Sequence, residues 1–285
     1  MTRLLNALGD LAAAYDVLLS DVWGVIHNGR EAFRQPCETL AWWRSEVGPV
    51  VLISNSPRPA AEVALQLDDL GVPRSAWSAV VTSGDATRVL LAARAPGPAW
   101  TIGPERVGPL YAGLGLQFST LEAARFIACS GPNDDEVETA EDYRSILTQA
   151  AGLGLEMVCA NPDLVVQRGD RLITCGGALA ALYETLGGRV VMAGKPHAPI
   201  YGLAVAEATR LLGRNVERAR ILAIGDGPVT DVRGANAQNL DVLFIAGGIL
   251  GDQLVDDQGA VDIAAAERIL ATDGLKAQYV MAQLA

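Results

Sequence analysis

The sequence predicts an α/β fold in which a mainly parallel sheet is covered on both faces by helices. Three observations carry this expectation. Short apolar runs rich in β-branched residues at 17–19, 50–53 and 221–224 are of the kind buried inside parallel sheets. Helical stretches alternate with these and further such runs along the whole chain. Each of the three runs also stops at a polar group beside turn-forming residues: Asp21, Ser54-Asn55 and Gly225-Asp226-Gly227.

In chain order, Leu4, Leu5, Leu8, Leu11 and Ala12 keep helical spacing and predict a short amphipathic helix. The strand ending at Asp21 runs into the turn-prone segment Trp23-Gly24-Val25-Ile26-His27-Asn28-Gly29. A helix is expected near 36–47, closed by Gly48-Pro49, with Trp42 and Trp43 both in the core. After the strand at 50–53, Ser56 is the expected N-cap of a helix with prolines in its first turn, ended by Gly71. A strand at 79–82 and a helix at about 85–94 precede Ala95-Pro96-Gly97-Pro98, which reads as a linker. Beyond it, strands at 100–103, 126–129 and 155–159 alternate with helices at about 105–112 and 138–151. The acidic stretch 133–138 reads as a solvated turn. After Gly188 come a strand at 190–192, a helix over 199–212, the strand 221–224, a short helix after Asp231 and a strand at 242–245.

A chain of 285 residues that is 50% hydrophobic is long enough for two domains with sizeable cores. Its net charge of −11 argues against nucleic acid or an anionic membrane as partner. A phosphate-bearing ligand must therefore be held by local groups. The four cysteines Cys37, Cys129, Cys159 and Cys175 form no C-x-x-C pair, so reduced, buried thiols are expected. No apolar run reaches the ~18 residues of a membrane span. Asp10 and Asp16 interrupt the first apolar stretch, which does not read as a signal peptide. A soluble, cytoplasmic protein is the expectation.

The strand ends carry the chemistry. Asp21, fixed by a sheet, suits a nucleophile or a metal ligand. Ser54 and Asn55 offer hydroxyl, amide and backbone N–H donors suited to an anionic oxygen. Gly194-Lys195-Pro196-His197 places a positive charge beyond the strand 190–192. Asp226 and Asp231, two carboxylates around a Gly-Pro turn, suit a hard cation such as Mg²⁺. His27 and His197 read as turn or helix-start residues, and Asn161 and Asp163 as turn residues.

Taken in order, Asp21 in a D-x-x-G-V turn, Ser54, Lys195 and the GDGPVTD segment at 225–231 resemble the four motifs of the haloacid dehalogenase (HAD) superfamily. Ser54-Asn55-Ser56, Asn161-Pro162-Asp163, Gly176-Gly177-Ala178-Leu179 and Gly194-Lys195-Pro196 resemble its class IIA subgroup, which includes the NagD, nitrophenylphosphatase and pyridoxal-phosphate phosphatase types. The resemblance implies a Rossmann-like core over residues 1–97 and 189–285, with an α/β cap inserted at 98–188. It implies Asp21 as the nucleophile that becomes an aspartyl phosphate. Mg²⁺ would be held by Asp21, Asp226 and the backbone carbonyl of Trp23, with Asp231 as a ligand or just behind them. Ser54, Asn55 and Lys195 would grip the phosphate of a small phosphorylated metabolite, Lys195 also serving catalysis, and a homodimer through the cap is expected.

One departure stands out. Phosphatases of the family carry an acid–base Asp two residues after the nucleophile, where this chain has Trp23. An indole N–H only donates and does no acid–base work at neutral pH. General acid–base catalysis contributes roughly 100- to 10,000-fold, so phosphomonoester turnover is expected to be slow. Two other readings stand beside this one: a phospholigand-binding protein with little or no catalysis, and hydrolysis of a different bond, dehalogenase- or phosphonatase-like.

Overall fold

The computed structural model describes residues 2–168 and 171–285. Four strands precede the linker: β1 (Arg3–Leu4), β2 (Val17–Ser20), β3 (Val50–Ser54) and β4 (Ala79–Thr82). Six follow before the last third of the chain: β5 (Ala99–Ile102), β6 (Phe126–Cys129), β7 (Glu156–Cys159), β8 (Val165–Arg168), β9 (Arg171–Thr174) and β10 (Arg189–Met192). The last are β11 (Ile221–Gly225), β12 (Asp241–Ile245) and β13 (Tyr279–Met281). The chain divides into two units, one made of Met1–Ser54, Ala64–Val81 and Tyr201–Ala285, the other of Asn55–Val63 and Thr82–Ile200.

The larger unit holds a seven-stranded sheet in the order β1-β13-β12-β11-β2-β3-β4. Every pairing from β1 through β3 is parallel. β2, β3 and β11 are buried along their whole lengths, which is why they read as unbroken apolar runs rather than alternating ones. The chain steps outward from β2 to β3 and β4, then in the other direction from β11 to β12 and β13. The order therefore reverses between β2 and β11, and ligand crevices of open α/β sheets form outside the carboxyl ends of such a pair.

Three expectations are corrected in this unit and its connections. The leucine pattern at the start does not form one helix. Arg3 and Leu5 instead donate to Gln278 and Val280 at 3.0 Å, adding β1 to the sheet edge, and only Leu8–Leu11 turns helically. Leu8 and Leu11 still share a buried side because a 3₁₀ turn eclipses i and i+3. Trp43 on the helix Arg34–Glu46 is fully buried, but Trp42 is 42% exposed, its ring lying over Gly9. Adjacent helical positions point about 100° apart, so both rings cannot face the sheet. Ser56 caps no helix: its Oγ accepts from the Arg58 N–H at 3.2 Å, and the helix Ala60–Asp69 starts only after Pro59. The donor at its start, the Ala60 N–H, is taken by the Asp85 carboxylate at 3.2 Å.

The smaller unit holds a parallel four-stranded sheet in the order β10-β7-β6-β5. Apolar side chains fill both its faces: Ile127, Met157, Leu147 and Tyr183 on one, Ala128, Val158, Leu91 and Leu110 on the other. β10 follows Gly188 directly, so the strand just past the boundary expected at 188 pairs in this sheet. Pro109 sits inside the stretch Glu105–Tyr111, which takes the tighter 3₁₀ form instead of a regular helix. The acidic stretch is more than a solvated turn. Asp135 pairs with Arg106 and Arg168, and Glu136 with Arg168 and Arg171, tying it to the antiparallel hairpin β8–β9.

All four cysteines are buried thiols. Among the described residues, no helix is long and apolar enough to cross a membrane.

Candidate active site

Parallel register places Ser20 of β2 opposite Ile224 of β11, and the Asp21 N–H donates to the Ile224 carbonyl at 2.8 Å. Neighbouring strands thus end together, and their next residues present Asp21 and Asp226 side by side. Asp231 is returned to them by a wide helical turn over Pro228–Val232, closed by the Val232 N–H on the Gly227 carbonyl at 3.1 Å. One carboxylate oxygen from each of Asp21, Asp226 and Asp231 lies within 4.8 Å of the others, and all three residues are buried.

Each carboxylate is fixed by hydrogen-bond donors. Asp21 Oδ1 accepts from the Val22 N–H at 2.7 Å, and Asp226 Oδ2 from the Ile249 N–H at 2.8 Å. Asp231 Oδ2 accepts from the Gly227 N–H at 3.1 Å and the Thr230 hydroxyl at 3.3 Å. Glycines make this seating possible. A Cβ on Gly24 (φ +81°) or on Gly248 would fall 2.1 Å from Asp226 Oδ2, and one on Gly225 would fall 2.2 Å from Asp231 Cγ. Gly24 and Gly225 belong to the motifs read from the sequence. Gly248 and Ile249 were missed, because nothing local marks a loop that supports a distant carboxylate.

Three carboxylates this close, away from bulk water, repel one another unless a cation joins them. An all-oxygen set of this kind suits a hard divalent cation, with Asp21, Asp226 and Asp231 as its protein ligands.

Trp23 follows two residues after Asp21. Its ring lies on Gly29, where a Cβ would come 2.4 Å from Cζ2, and meets the His27 ring edge-on at 5.0 Å. The Gly24 N–H donates to the His27 carbonyl at 2.9 Å, closing the turn. His27 Nδ1 accepts from the Gly29 N–H at 3.0 Å, so a neutral ring carries its proton on Nε2. Burial pushes the His27 pKa down to about 4. His27 therefore shapes this turn as a packed, neutral residue.

Ser54 is buried at the end of β3 in the same unit as the carboxylates. Asn55 and Lys195 belong to the smaller unit, and there they meet. Asn55 Oδ1 accepts from the Lys195 N–H at 2.7 Å, while its Nδ2 donates to the Lys195 carbonyl at 3.0 Å and to Asp163 Oδ1 at 2.8 Å. Lys195 is 2% exposed. Asn161 accepts from the Asp163 N–H at 3.1 Å, the turn role expected of it. The His197 N–H donates to the Gly194 carbonyl at 2.8 Å just before the helix Ala198–Leu212, and burial lowers its imidazole pKa.

Comparison with known proteins shows the family of the chain. Residues 18–117 match a family described as haloacid dehalogenase-like hydrolase, and residues 192–270 match one described as HAD-hydrolase-like. A crystal structure of a hydrolase of the haloacid dehalogenase-like family from Brucella suis 1330 superposes with a TM-score of 0.89 at 42% identity, covering 99% of this chain and 100% of that one. D-glycerol 3-phosphate phosphatase of Mycobacterium tuberculosis is 29% identical over 244 residues, which are 84% of this chain and 65% of that protein's length. The crystal structure of glycerol phosphate phosphatase Rv1692 from the same organism, in complex with magnesium, matches with a TM-score of 0.63 at 26% identity, covering 84% of this chain and 70% of that one.

Proposed function

This chain belongs to the haloacid dehalogenase-like family of hydrolases, and from that premise we propose that it is a Mg²⁺-dependent phosphatase of a small phosphorylated metabolite. The observation that carries the reading is the buried trio Asp21, Asp226 and Asp231 at the point where the sheet order reverses. The relatives named as a phosphatase, and as a phosphatase complexed with magnesium, support it.

Asp21 is the nucleophile. One carboxylate oxygen attacks phosphorus, the bond to the leaving oxygen breaks, and Asp21 becomes an aspartyl phosphate that water then hydrolyses. A bound Mg²⁺, held by Asp21, Asp226, Asp231 and the Trp23 carbonyl, would lower repulsion between carboxylate and phosphate and orient the phosphoryl group. Ser54 and Lys195 grip the phosphoryl oxygens, with Asn55 supporting that grip, and the Lys195 ammonium balances the charge of the transferring group. The smaller unit, whose four-stranded sheet includes β10, is the cap that selects the metabolite, and two copies of the chain associate through it.

Trp23 bears on the rate. With an indole two residues after the nucleophile and His27 held neutral beside it, neither supplies a proton to the leaving oxygen. Turnover is slow for that reason, and the runner-up reading is a phospholigand-binding protein.

Purified protein assayed with Mg²⁺ against a panel of phosphorylated metabolites and p-nitrophenyl phosphate decides between them. The expected result is phosphate release that Asp21→Asn removes and chelation abolishes. Release no greater than that of Asp21→Asn on every substrate would leave binding alone.

A further inference from the structure

The structure assigns the Asn55 side-chain amide to the positioning of Lys195 rather than to contact with substrate, an inference that rests on the role proposed for Lys195. A primary amide offers one acceptor oxygen and two N–H donors in one plane. Here Oδ1 receives the Lys195 N–H at 2.7 Å, and the Nδ2 hydrogens go to the Lys195 carbonyl at 3.0 Å and to Asp163 Oδ1 at 2.8 Å. Both donors are engaged, so the amide has no N–H left for a phosphate oxygen. The partners also fix which way the amide faces: exchanging O and N would set oxygen against two acceptors and nitrogen against a donor.

The grip takes the N–H and the C=O of a single residue, as a strand pairing does in an antiparallel ladder. Lys195 lies inside a turn closed by the His197 N–H on the Gly194 carbonyl at 2.8 Å. Gly194 lets the amide approach, because a Cβ there would stand 2.7 Å from Asn55 Oδ1 and 2.4 Å from Ser83 Oγ. Asp163 is itself held by the turn through Asn161 and by the Gly177 N–H on its carbonyl at 3.0 Å. The main chain of Lys195 is thus fixed by a relay from Asp163 through Asn55, and the side chain starts from a set Cα.

The test is a donor–acceptor swap. Asn55→Asp keeps the acceptor for the Lys195 N–H but sets a carboxylate against Asp163. It should lower kcat on p-nitrophenyl phosphate by ~100-fold, as expected when a charged group is misplaced by about 1 Å, a larger change than in KM or in the affinity for inorganic phosphate. Adding Asp163→Asn restores a donor between the two positions and should recover at least ~10-fold of the loss. A wild-type kcat in Asn55→Asp, a loss in KM and phosphate affinity alone, or a double variant no better than the single one with its melting temperature intact would each overturn the assignment. The unmutated protein gives an independent readout. The Lys195 amide lies in a turn, yet its hydrogen exchange should be protected, and free exchange there would also overturn the assignment. If the wild-type protein releases no more phosphate than Asp21→Asn, the phosphatase reading fails instead, and exchange still decides the clamp.

Discussion

Trp23 and His27 lie in the turn that follows Asp21 and pack against each other there. Trp23→Asp adds a carboxyl where the family's acid–base group stands. It should raise phosphomonoester turnover by up to the ~100- to 10,000-fold that such catalysis contributes. An unchanged rate in a folded variant would show that the substrate, or the bond broken, is different. His27 has a pKa of about 4 in the folded protein against an ordinary 6.5, because burial disfavours its charged form. The unfolded chain takes up this proton first as pH falls. The His27 contribution is therefore fully present above pH 6.5 and is lost as pH falls from there through about 4, on the order of 3 kcal/mol in all. Denaturation of wild type and His27→Gln across this range should show a shallower pH slope in the variant, and identical slopes would contradict the burial argument.

At the scale of elements, Asp85 links two helix starts. The Thr82 hydroxyl accepts from the Asp85 N–H at 3.0 Å, and Asp85 Oδ2 accepts from the Thr82 N–H at 3.2 Å, a reciprocal capping box for the helix Ser83–Ala92. The same carboxylate receives the Ala60 N–H at the start of the helix Ala60–Asp69. Asp85→Ala should destabilise the protein by about 1–2 kcal/mol in urea unfolding, more than a cap serving one helix. Thr82→Ala, which removes only the hydroxyl half, should cost about 1 kcal/mol. Equal losses would mean that the bond to Ala60 contributes nothing. A strand makes the same point about register: β2 and β11 bring Asp21 and Asp226 together because Ser20 pairs with Ile224. A slip of one residue would turn the carboxylates to opposite faces.

For the whole molecule, three buried carboxylates within 4.8 Å are a standing repulsion that a cation relieves. Mg²⁺ binds the folded form only, so at tenfold its Kd it should add about 1.4 kcal/mol of stability and raise Tm by a few degrees. Asp226→Asn should remove that rise, since it takes away one of the carboxylates that would hold the ion, and an undiminished rise would place the ion elsewhere.

The sequence by itself determined the α/β class and the buried strands of the larger sheet, and it named the three carboxylates that the fold gathers. Period, propensity and turn chemistry are local, and Asp21, Asp226 and Asp231 stand beside the glycines and proline that seat them. The same local reading went astray where long-range pairing decides. Arg3 and Leu4 became an edge strand because β13, at the far end of the chain, offers its free side. The acidic stretch at 133–138 became an ion-paired cluster because Arg106, Arg168 and Arg171 arrive from other elements. Ser56 lost its cap to Asp85. Asn55 shows the limit most clearly: its type announced hydrogen bonding, but only the tertiary structure named Lys195 and Asp163 as its partners. A side chain's donors and acceptors are written in the sequence, whereas the group that meets them is fixed by packing between distant segments.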